Sequence, residues 1–276
     1  MAYDEILYEV SDHIATVTLN RPEKLNAWTM RMGAEVRHAL HAADKDPAVR
    51  VMIVTGAGKG YCAGADMEML QAAQGSGDAS ALSVNDANLA VQVDASLPPA
   101  FRGEYSYPLG LQKPVIAAVN GVAAGLGLSY MLYYDMRIAS DRARLGTIFS
   151  RRGLVAEHGS AYLLPRLVGM ANACDILFSG RLVGAEEALQ MGLVNRVVAH
   201  EQLLPTVREI ATEMATLCSP RSLRLMKRQL YSDLFNNLQS SMEIADREMV
   251  ASFTTEDFRE GVASFLQRRK PRFTGK

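Results

Sequence analysis

Between Lys113 and Asp135 the chain carries no charged residue. A run of that length must either cross a bilayer or be buried inside a folded domain. Its own residues decide between the two. Pro114, Asn120, Gly121, Gly125, Gly127 and Ser129 all fall within it, and a spanning helix has to satisfy its backbone groups internally. The run therefore reads as a buried strand at 114–119, a glycine turn and a buried helix from about Gly125, with no membrane span. Such a segment needs a large core around it. At 276 residues, 49% hydrophobic and 21% charged, the chain can supply one without metal or disulfide staples.

Other segments fit the same architecture. Residues 14–19 alternate, with Ala15, Val17 and Leu19 opposite Thr16 and Thr18, as in a half-buried strand. Val51-Met-Ile-Val54 is a short continuous apolar run, the mark of a strand covered on both faces, and 115–119 repeats that character. A turn falls at 21–26, a helix from about Thr29 to Ala43, and a short strand at 194–198. From Ser160 onward the chain is mainly helical. Leu203, Val207, Ile210, Met214 and Leu217 mark one apolar face, and Phe258, Val262 and Phe265 mark another. Strand and helix thus alternate, which favours an α/β core with right-handed crossovers. Residues 71–112 break the pattern. They hold Gly75-Ser-Gly-Asp78, Leu97-Pro-Pro-Ala100 and the stretch 101–108, and read as an excursion of the kind used for lids and binding loops. No long internal repeat or linker is evident.

Composition excludes several functions. Cys62, Cys174 and Cys218 are few, scattered and odd in number, so no disulfide framework is implied. No CxxC or Cys/His cluster suggests a metal site, and the five histidines do not recur at ligand spacing. The N-terminus lacks the basic and apolar regions of a signal peptide, so the cytoplasm is the expected compartment. A formal net charge of −1 argues against a nucleic-acid partner.

Two small-residue segments follow the buried strands. Tyr61-Cys-Ala-Gly-Ala-Asp66 comes after 51–54 and the turn Gly56-Ala-Gly-Lys-Gly60. It reads either as an ordinary tight turn or as a place where a ligand meets the backbone closely. Asn120-Gly-Val-Ala-Ala-Gly-Leu-Gly-Leu-Ser129 joins the second buried strand to a helix. The first amides of a helix have no internal partners and sit at its positive end, so they can bind an anion or a developing oxyanion. Its glycine spacing is not that of a dinucleotide-binding turn. Two such donors converging on one carbonyl would form an oxyanion hole. Each donor of that kind is worth about 2.7–4 kcal/mol of transition-state stabilisation in a protease.

In this order, these residues resemble the crotonase, or enoyl-CoA hydratase/isomerase, superfamily. The likeness covers nearly the whole chain. It includes Leu19-Asn-Arg-Pro-Glu-Lys-Leu-Asn-Ala27, Ala63-Gly-Ala-Asp66, Lys113-Pro-Val-Ile-Ala-Ala-Val-Asn-Gly121, Pro165-Arg-Leu-Val-Gly169, Ala185-Glu-Glu-Ala-Leu-Gln-Met-Gly-Leu-Val194 and Phe258-Arg-Glu-Gly-Val-Ala-Ser-Phe265. The resemblance implies an α/β fold, a spiral of ββα units over 1–200 that binds acyl-CoA, with a helical trimerisation region over 201–276. It implies a homotrimer or hexamer and a coenzyme A thioester as substrate, with no separate cofactor. The thioester oxygen would be held by the backbone amides of Ala65 and Leu126. CoA contacts would come from Lys24, Leu25, Ala27, Ala63, Gly64, Asp66, Met67 and Gly125. Phe265 and Arg268 match an aromatic and a basic residue set against the adenine nucleotide. On the residues alone, Phe265 could equally be a core phenylalanine. The cations Arg268, Arg269, Lys270, Arg272 and Lys276 could equally be a solvated tail.

The chain departs from the pattern where chemistry is concerned. Hydratases of this family carry two glutamates whose positions here are Ser129 and Phe149. Neither residue can act as a carboxylate, and adding water needs both a base and an acid. A different carboxylate, Glu157, stands where several Δ3,Δ2-enoyl-CoA isomerases of the family place their one acidic residue. Isomerisation needs only that base, and burial would raise its pKa towards neutrality. The expectation is therefore Δ3,Δ2-enoyl-CoA isomerisation with Glu157 as the proton shuttle, against a surface or helix-capping role for that residue. Hydration with an unusual acid/base set, hydrolase or lyase chemistry on the same enolate, and a non-catalytic acyl-CoA-binding protein are the alternatives. His158 could supply a second acid/base group or tune Glu157, or be structural, since adjacent side chains usually point apart. Glu104, Tyr105 and Tyr107 could close over the acyl chain or belong to a packed loop. Cys62 has no evident base partner and reads as a small buried residue.

Overall fold

The computed structural model describes residues 2–76, 84 and 86–276, so Gly77 and Asp78 of the excursion lie outside the described residues. Two sheets organise the chain. The larger contains β1 (Ile6–Ser11), β2 (Ile14–Leu19), β3 (Val51–Gly56), β5 (Val115–Val119), β7 (Met136–Ser140) and β10 (Arg196–Val198), side by side in that order. Only β1 runs antiparallel to its neighbour. The smaller contains β4 (Gly60–Cys62), β6 (Val122–Ala124), β8 (Arg144–Gly146) and β9 (Val183–Gly184), with β4, β6 and β8 parallel.

The connection between sheets repeats. β3 passes into β4, β5 into β6, and β7 into β8, each pair giving one strand to each sheet. This is the ββα spiral, a structural repeat with no sequence repeat to reveal it. Its corners are tight. A Cβ at Gly121 would lie 1.9 Å from Lys59 O, and one at Gly56 would lie 2.3 Å from Gly60 O. Two asparagines hold the first corner. Asn120 Nδ2 donates to Gly58 O and Gly60 O at 3.0 and 3.1 Å, while Asn26 Nδ2 donates to Ala57 O and Gly60 O at 2.9 and 2.8 Å.

The large sheet is covered on both faces, as its apolar runs require. α1 (Met30–Lys45) is capped by Thr29, whose side chain accepts from Met32 N, and packs on one face. α6 (Leu203–Leu217) packs on the other, over Ile14, Val51, Ile53, Ile116, Ala118 and Ile138. The buried stripe of α6 is Leu203, Val207, Ala211 and Ala215. This corrects the expected face: Ile210 and Met214 flank the contact and Leu217 is 43% exposed. Alanines let the helix axis approach the sheet closely, and the larger residues lie at the margin of the contact.

The charge-free run forms β5, β6 and the short helix α3 (Leu126–Met131), all within the core, while α2 (Met67–Ser76) follows β4 and α5 (Ala185–Gln190) follows β9. Among the described residues one helix, α4 (Ser160–Ser179), has the length and apolarity to cross a membrane. It breaks at Gly169, where φ is 77° and ψ 160°, so neither half has that length. The described C-terminal part of the excursion is packed. Phe101, Tyr107, Leu109 and Leu111 are buried in the main core.

The C-terminal helices are α7 (Pro220–Ser232), α8 (Leu238–Ser252) and α9 (Glu256–Leu266). A buried ion pair ties α7 to the sheet. Lys227 Nζ lies 2.8 Å from Asp135 Oδ2, Tyr231 Oη donates to Asp135 Oδ1 at 2.8 Å, and Val115 N donates to Oδ2 at 2.6 Å. The basic tail is anchored, contrary to a wholly solvated one. Arg269 pairs with Glu260, Asp257 accepts from Thr274 N at 2.8 Å, and Arg50 Nη2 donates to Phe273 O at 2.8 Å.

Replacing one partner of a buried pair leaves the other charge without compensation. Asp135→Ala is therefore expected to cost about 3 kcal/mol in urea unfolding, and Asp135→Leu combined with Lys227→Met to recover most of it. A single variant as stable as the parent would show that the pair contributes nothing.

Candidate active site

β4 and β6 are adjacent and parallel, with Cys62 opposite Ala123, so their C-terminal ends open at the same place. Each is followed by a glycine that no other residue could replace without strain. Gly64 has φ of 105°, and Gly125 has φ of 51° with ψ of −121°. A Cβ at Gly64 would lie 3.0 Å from Ala124 O and 3.9 Å from Gly125 Cα. The two turns meet backbone to backbone.

The next residue in each turn is Ala65 and Leu126. Among the described residues neither amide donates a hydrogen bond, although Asp66 N bonds Trp28 O and Gly125 N bonds Gly146 O, both at 2.9 Å. Leu126 opens α3, where a helical N–H has no internal partner. α3 itself is seated by Gly127, whose Cβ would fall 2.4 Å from Cys62 O. Cys62 is fully buried beneath it, and burial pushes its thiol up to about 12, which removes it as a nucleophile.

The segment after Arg21 runs beside the first turn. Ala63 N donates to Leu25 O at 3.0 Å, Trp28 N to Gly64 O at 2.7 Å, and Trp28 bridges Ala65. The structure thus brings Leu25, Ala27, Ala63, Gly64, Asp66 and Gly125 into one neighbourhood, with Lys24 and the exposed Met67 at its margin. Asp66 is occupied within the chain. Its Oδ2 lies 2.9 Å from Arg21 Nη1 and its Oδ1 accepts from Glu68 N at 2.9 Å. Burial alone would raise its carboxyl, but these donors outweigh burial and hold it below the usual carboxylate range. Asp66 therefore ties the turn to Arg21, which sequence reasoning had missed. Phe265 is 81% exposed on α9, and among the described residues no hydrogen bond or ion pair joins it or Arg268 to this neighbourhood.

Ser129 and Phe149 are both buried. Ser129 Oγ has no hydrogen-bond partner among the described residues. The Phe149 ring edge lies 3.9 Å from where a Gly125 Cβ would stand, against the second turn. It is held there by Ile148, a β-branched residue at φ of 56°, an uncommon conformation that costs about 1–3 kcal/mol.

Glu157 sits between the 3-10 turn Phe149–Arg152 and α4. Its side chain is not a helix cap. The cap is Gly159, and Glu157 contributes only its carbonyl, which accepts from Ser160 N and Ser160 Oγ at 2.9 and 2.7 Å. The carboxyl is 26% exposed, and burial raises its pKa. Its Oε2 lies 3.3 Å from His158 Nε2. Burial also lowers the His158 pKa, so both groups are pushed towards their neutral forms despite their proximity. Adjacent side chains point apart in regular structure. Here His158 and Gly159 have φ of 51° and 74°, which folds the imidazole back over the carboxylate.

Aromatic rings connect this loop to the glycine turns. The Tyr105 and His158 rings are 4.0 Å apart, Tyr105 meets Tyr130 edge-on at 6.4 Å, and Tyr130 lies 4.6 Å from Trp28, which bridges Ala65. Tyr133 Oη donates to His158 O at 2.5 Å, anchoring the loop just beyond α3. Of the excursion residues, Tyr105 reaches the site. Tyr107 instead is a core residue whose hydroxyl meets that of Tyr130, which decides for the packed-loop alternative at that position. Trp28, Tyr130 and Tyr133 were not singled out from sequence. The spacing of Tyr130 and Tyr133 after the second glycine turn was the available signal.

Comparison with known proteins shows the family. The family model for enoyl-CoA hydratase/isomerase matches residues 9–276. The chain is 35% identical to 1,2-epoxyphenylacetyl-CoA isomerase of Escherichia coli over 98% of both chains. It is 34% identical to crotonyl-CoA hydratase of Syntrophomonas wolfei over the full length of both. The crystal structure of enoyl-CoA hydratase from Bacillus anthracis superimposes with a TM-score of 0.87 at 28% identity, covering 99% of this chain and 100% of that one. With its ββα spiral and paired glycine turns, the chain belongs to the enoyl-CoA hydratase/isomerase family.

Proposed function

We propose that this acyl-CoA enzyme moves the double bond of a 3-enoyl-CoA into conjugation with its thioester. One observation carries the reading: Glu157 is a half-buried carboxylate on a loop anchored to α3, while Ser129 and Phe149 occupy the two positions that a hydratase would fill with carboxylates.

In this mechanism the Ala65 and Leu126 amides hold the thioester oxygen. Negative charge that builds on that oxygen as the C2 proton leaves is met by two donors already in place. Glu157 takes the proton as the C2–H bond breaks, giving the dienolate. The same carboxylic acid then returns the proton to C4, and the double bond settles between C2 and C3. No water is consumed. The apolar Phe149 beside the second turn suits a reaction that excludes water. A raised Glu157 pKa suits a group that must accept and release a proton in one turnover.

The CoA moiety is proposed to lie along Lys24, Leu25, Ala27, Ala63, Gly64 and Met67, with Asp66 and Arg21 holding that edge in shape. Phe265 and Arg268 are proposed to meet the adenine nucleotide. Hydration is the second reading. It is favoured by the His158 nitrogen 3.3 Å from Glu157, which would supply a second acid/base group, and by the hydratase names of several relatives.

Glu157→Gln is expected to lower kcat on a 3-enoyl-CoA by roughly 10²–10⁴-fold while CoA-ester binding persists. Retained turnover would remove Glu157 from the reaction. A product gaining water from a 2-enoyl-CoA at a comparable rate would favour hydration. The base must be ionised to start, so kcat/KM should rise with pH along an acid limb whose midpoint lies above the ordinary glutamate value of 4.5. A midpoint at or below that value would contradict the burial argument. Gly64→Ala, which forces a side chain to φ of 105° against Ala124 O, should lower kcat about 100-fold by displacing one donor. An unchanged kcat would mean that this turn is not part of the oxyanion site.

A further inference from the structure

Three features of the loop at 157–159 have no role in the reaction as derived so far. His158 is held in the left-handed region with φ of 51°. Its ring faces back over Glu157, with Nε2 3.3 Å from Oε2. It is also gripped from two other elements, by the Tyr105 ring at 4.0 Å and by Tyr133 Oη, which donates to its carbonyl at 2.5 Å. Gly159 completes the grip. A Cβ there would lie 2.3 Å from Tyr133 Oη, so only glycine lets the tyrosine reach that carbonyl.

A half-buried carboxylate on a short loop has two equivalent oxygens and freedom to turn. A proton shuttle that serves C2 and then C4 needs one of them aimed at the substrate. We propose that His158 is a positioning residue for Glu157: its imidazole, with Nε2 in ion-pair range of Oε2, restrains that oxygen by electrostatic attraction, and Tyr105 and Tyr133 hold His158, so that Oε1 is the oxygen left to exchange a proton with the substrate. The inference rests on the assignment of Glu157 as the proton-transfer group.

The tautomer follows from the surroundings. Burial lowers the His158 pKa, so the ring is neutral at neutral pH, and a carboxylate partner selects the form protonated at Nε2. That N–H stabilises the ionised carboxylate and partly opposes the effect of burial. The other groups packed against the pair are the Tyr105 phenol, with Glu104 beside it, and the Tyr133 phenol. Burial pushes the Tyr105 phenol up to about 12 and raises that of Tyr133, so neither titrates near neutrality. Among the described residues no lysine or arginine forms an ion pair with Glu157.

The test uses the full chain and reads the carboxyl directly. Carbon-13 NMR of glutamate-labelled protein follows the Glu157 signal through a pH titration, assigned by its loss in Glu157→Gln. His158→Phe keeps a ring against Tyr105 but removes the nitrogens, while His158→Gln keeps an N–H donor. The Glu157 midpoint should rise by about half a unit or more in His158→Phe and return towards the parent in His158→Gln. In whichever enoyl-CoA reaction the parent catalyses, kcat should fall roughly tenfold in His158→Phe with KM within about twofold, and His158→Gln should restore most of it. A midpoint or a kcat in His158→Phe equal to the parent's would overturn the assignment. Should His158→Phe lack a cooperative melt, Tyr105→Leu frees the imidazole without touching the loop. The midpoint should then rise by a smaller amount, and an unmoved midpoint overturns the assignment. The titration is independent of the reaction. A parent that hydrates its substrate would count against isomerisation and leave the role of His158 standing.

Discussion

Strands β4 and β6 run side by side in the same direction, so each delivers a peptide unit to the same spot, and Gly64 and Gly125 let those units touch. The rest of the site depends on that approach. Side chains at either glycine would separate the turns and rotate the amides that follow. The corners between sheets serve the same end. Gly56 and Gly121 allow strands to cross at van der Waals contact, and Asn26 and Asn120 satisfy the carbonyls that the sharp corner leaves unpaired. A backbone site built this way needs no specialised side chain. It is held by the whole spiral, because moving one strand of the small sheet means moving its continuation in the large one.

The proposed acid/base group is built on the opposite plan. Glu157 lies on a loop, and its placement relies on neighbours. Two consecutive left-handed residues fold His158 over it, Tyr133 ties the loop to the end of α3, and Tyr105 comes from the excursion to close the third side. Strain gathers around this half of the site, at Ile148 as well as His158. The surrounding packing meets that cost, which fits the general observation that uncommon backbone states cluster where a precise side-chain aim is needed. The proposed oxyanion donors and proton shuttle thus meet at one short helix, with Leu126 at its start and the Tyr133 anchor just past its end.

Much of this was legible in the sequence, for identifiable reasons. Continuous apolar runs at Val51-Met-Ile-Val54 and 115–119 disclosed strands covered on both faces, and charge-free glycines disclosed turns inside the core. The spiral was not legible from pattern alone. β4, β6 and β8 are three residues each, too short to show a period of two, and their repeat lies in backbone path. The face of α6 was displaced by one position because alanines, not the larger apolar residues, make the closest sheet contact. Glu157 stood out as a carboxylate near the expected place. The turning of His158 onto it did not, because it depends on φ values that histidine adopts only in context. The anchored tail was likewise hidden. Asp257 and Glu260, which hold it, lie on α9 and outside the basic segment 268–276.

In the proposed reaction one carboxylate carries one proton from C2 to C4 while two amides hold the thioester oxygen. Mass spectrometry of the product formed from a C2-dideuterated 3-enoyl-CoA addresses it most directly. The expected product is a 2-enoyl-CoA that has gained no water and carries deuterium at C4. A product with no deuterium at C4, or one heavier by a molecule of water, would contradict it.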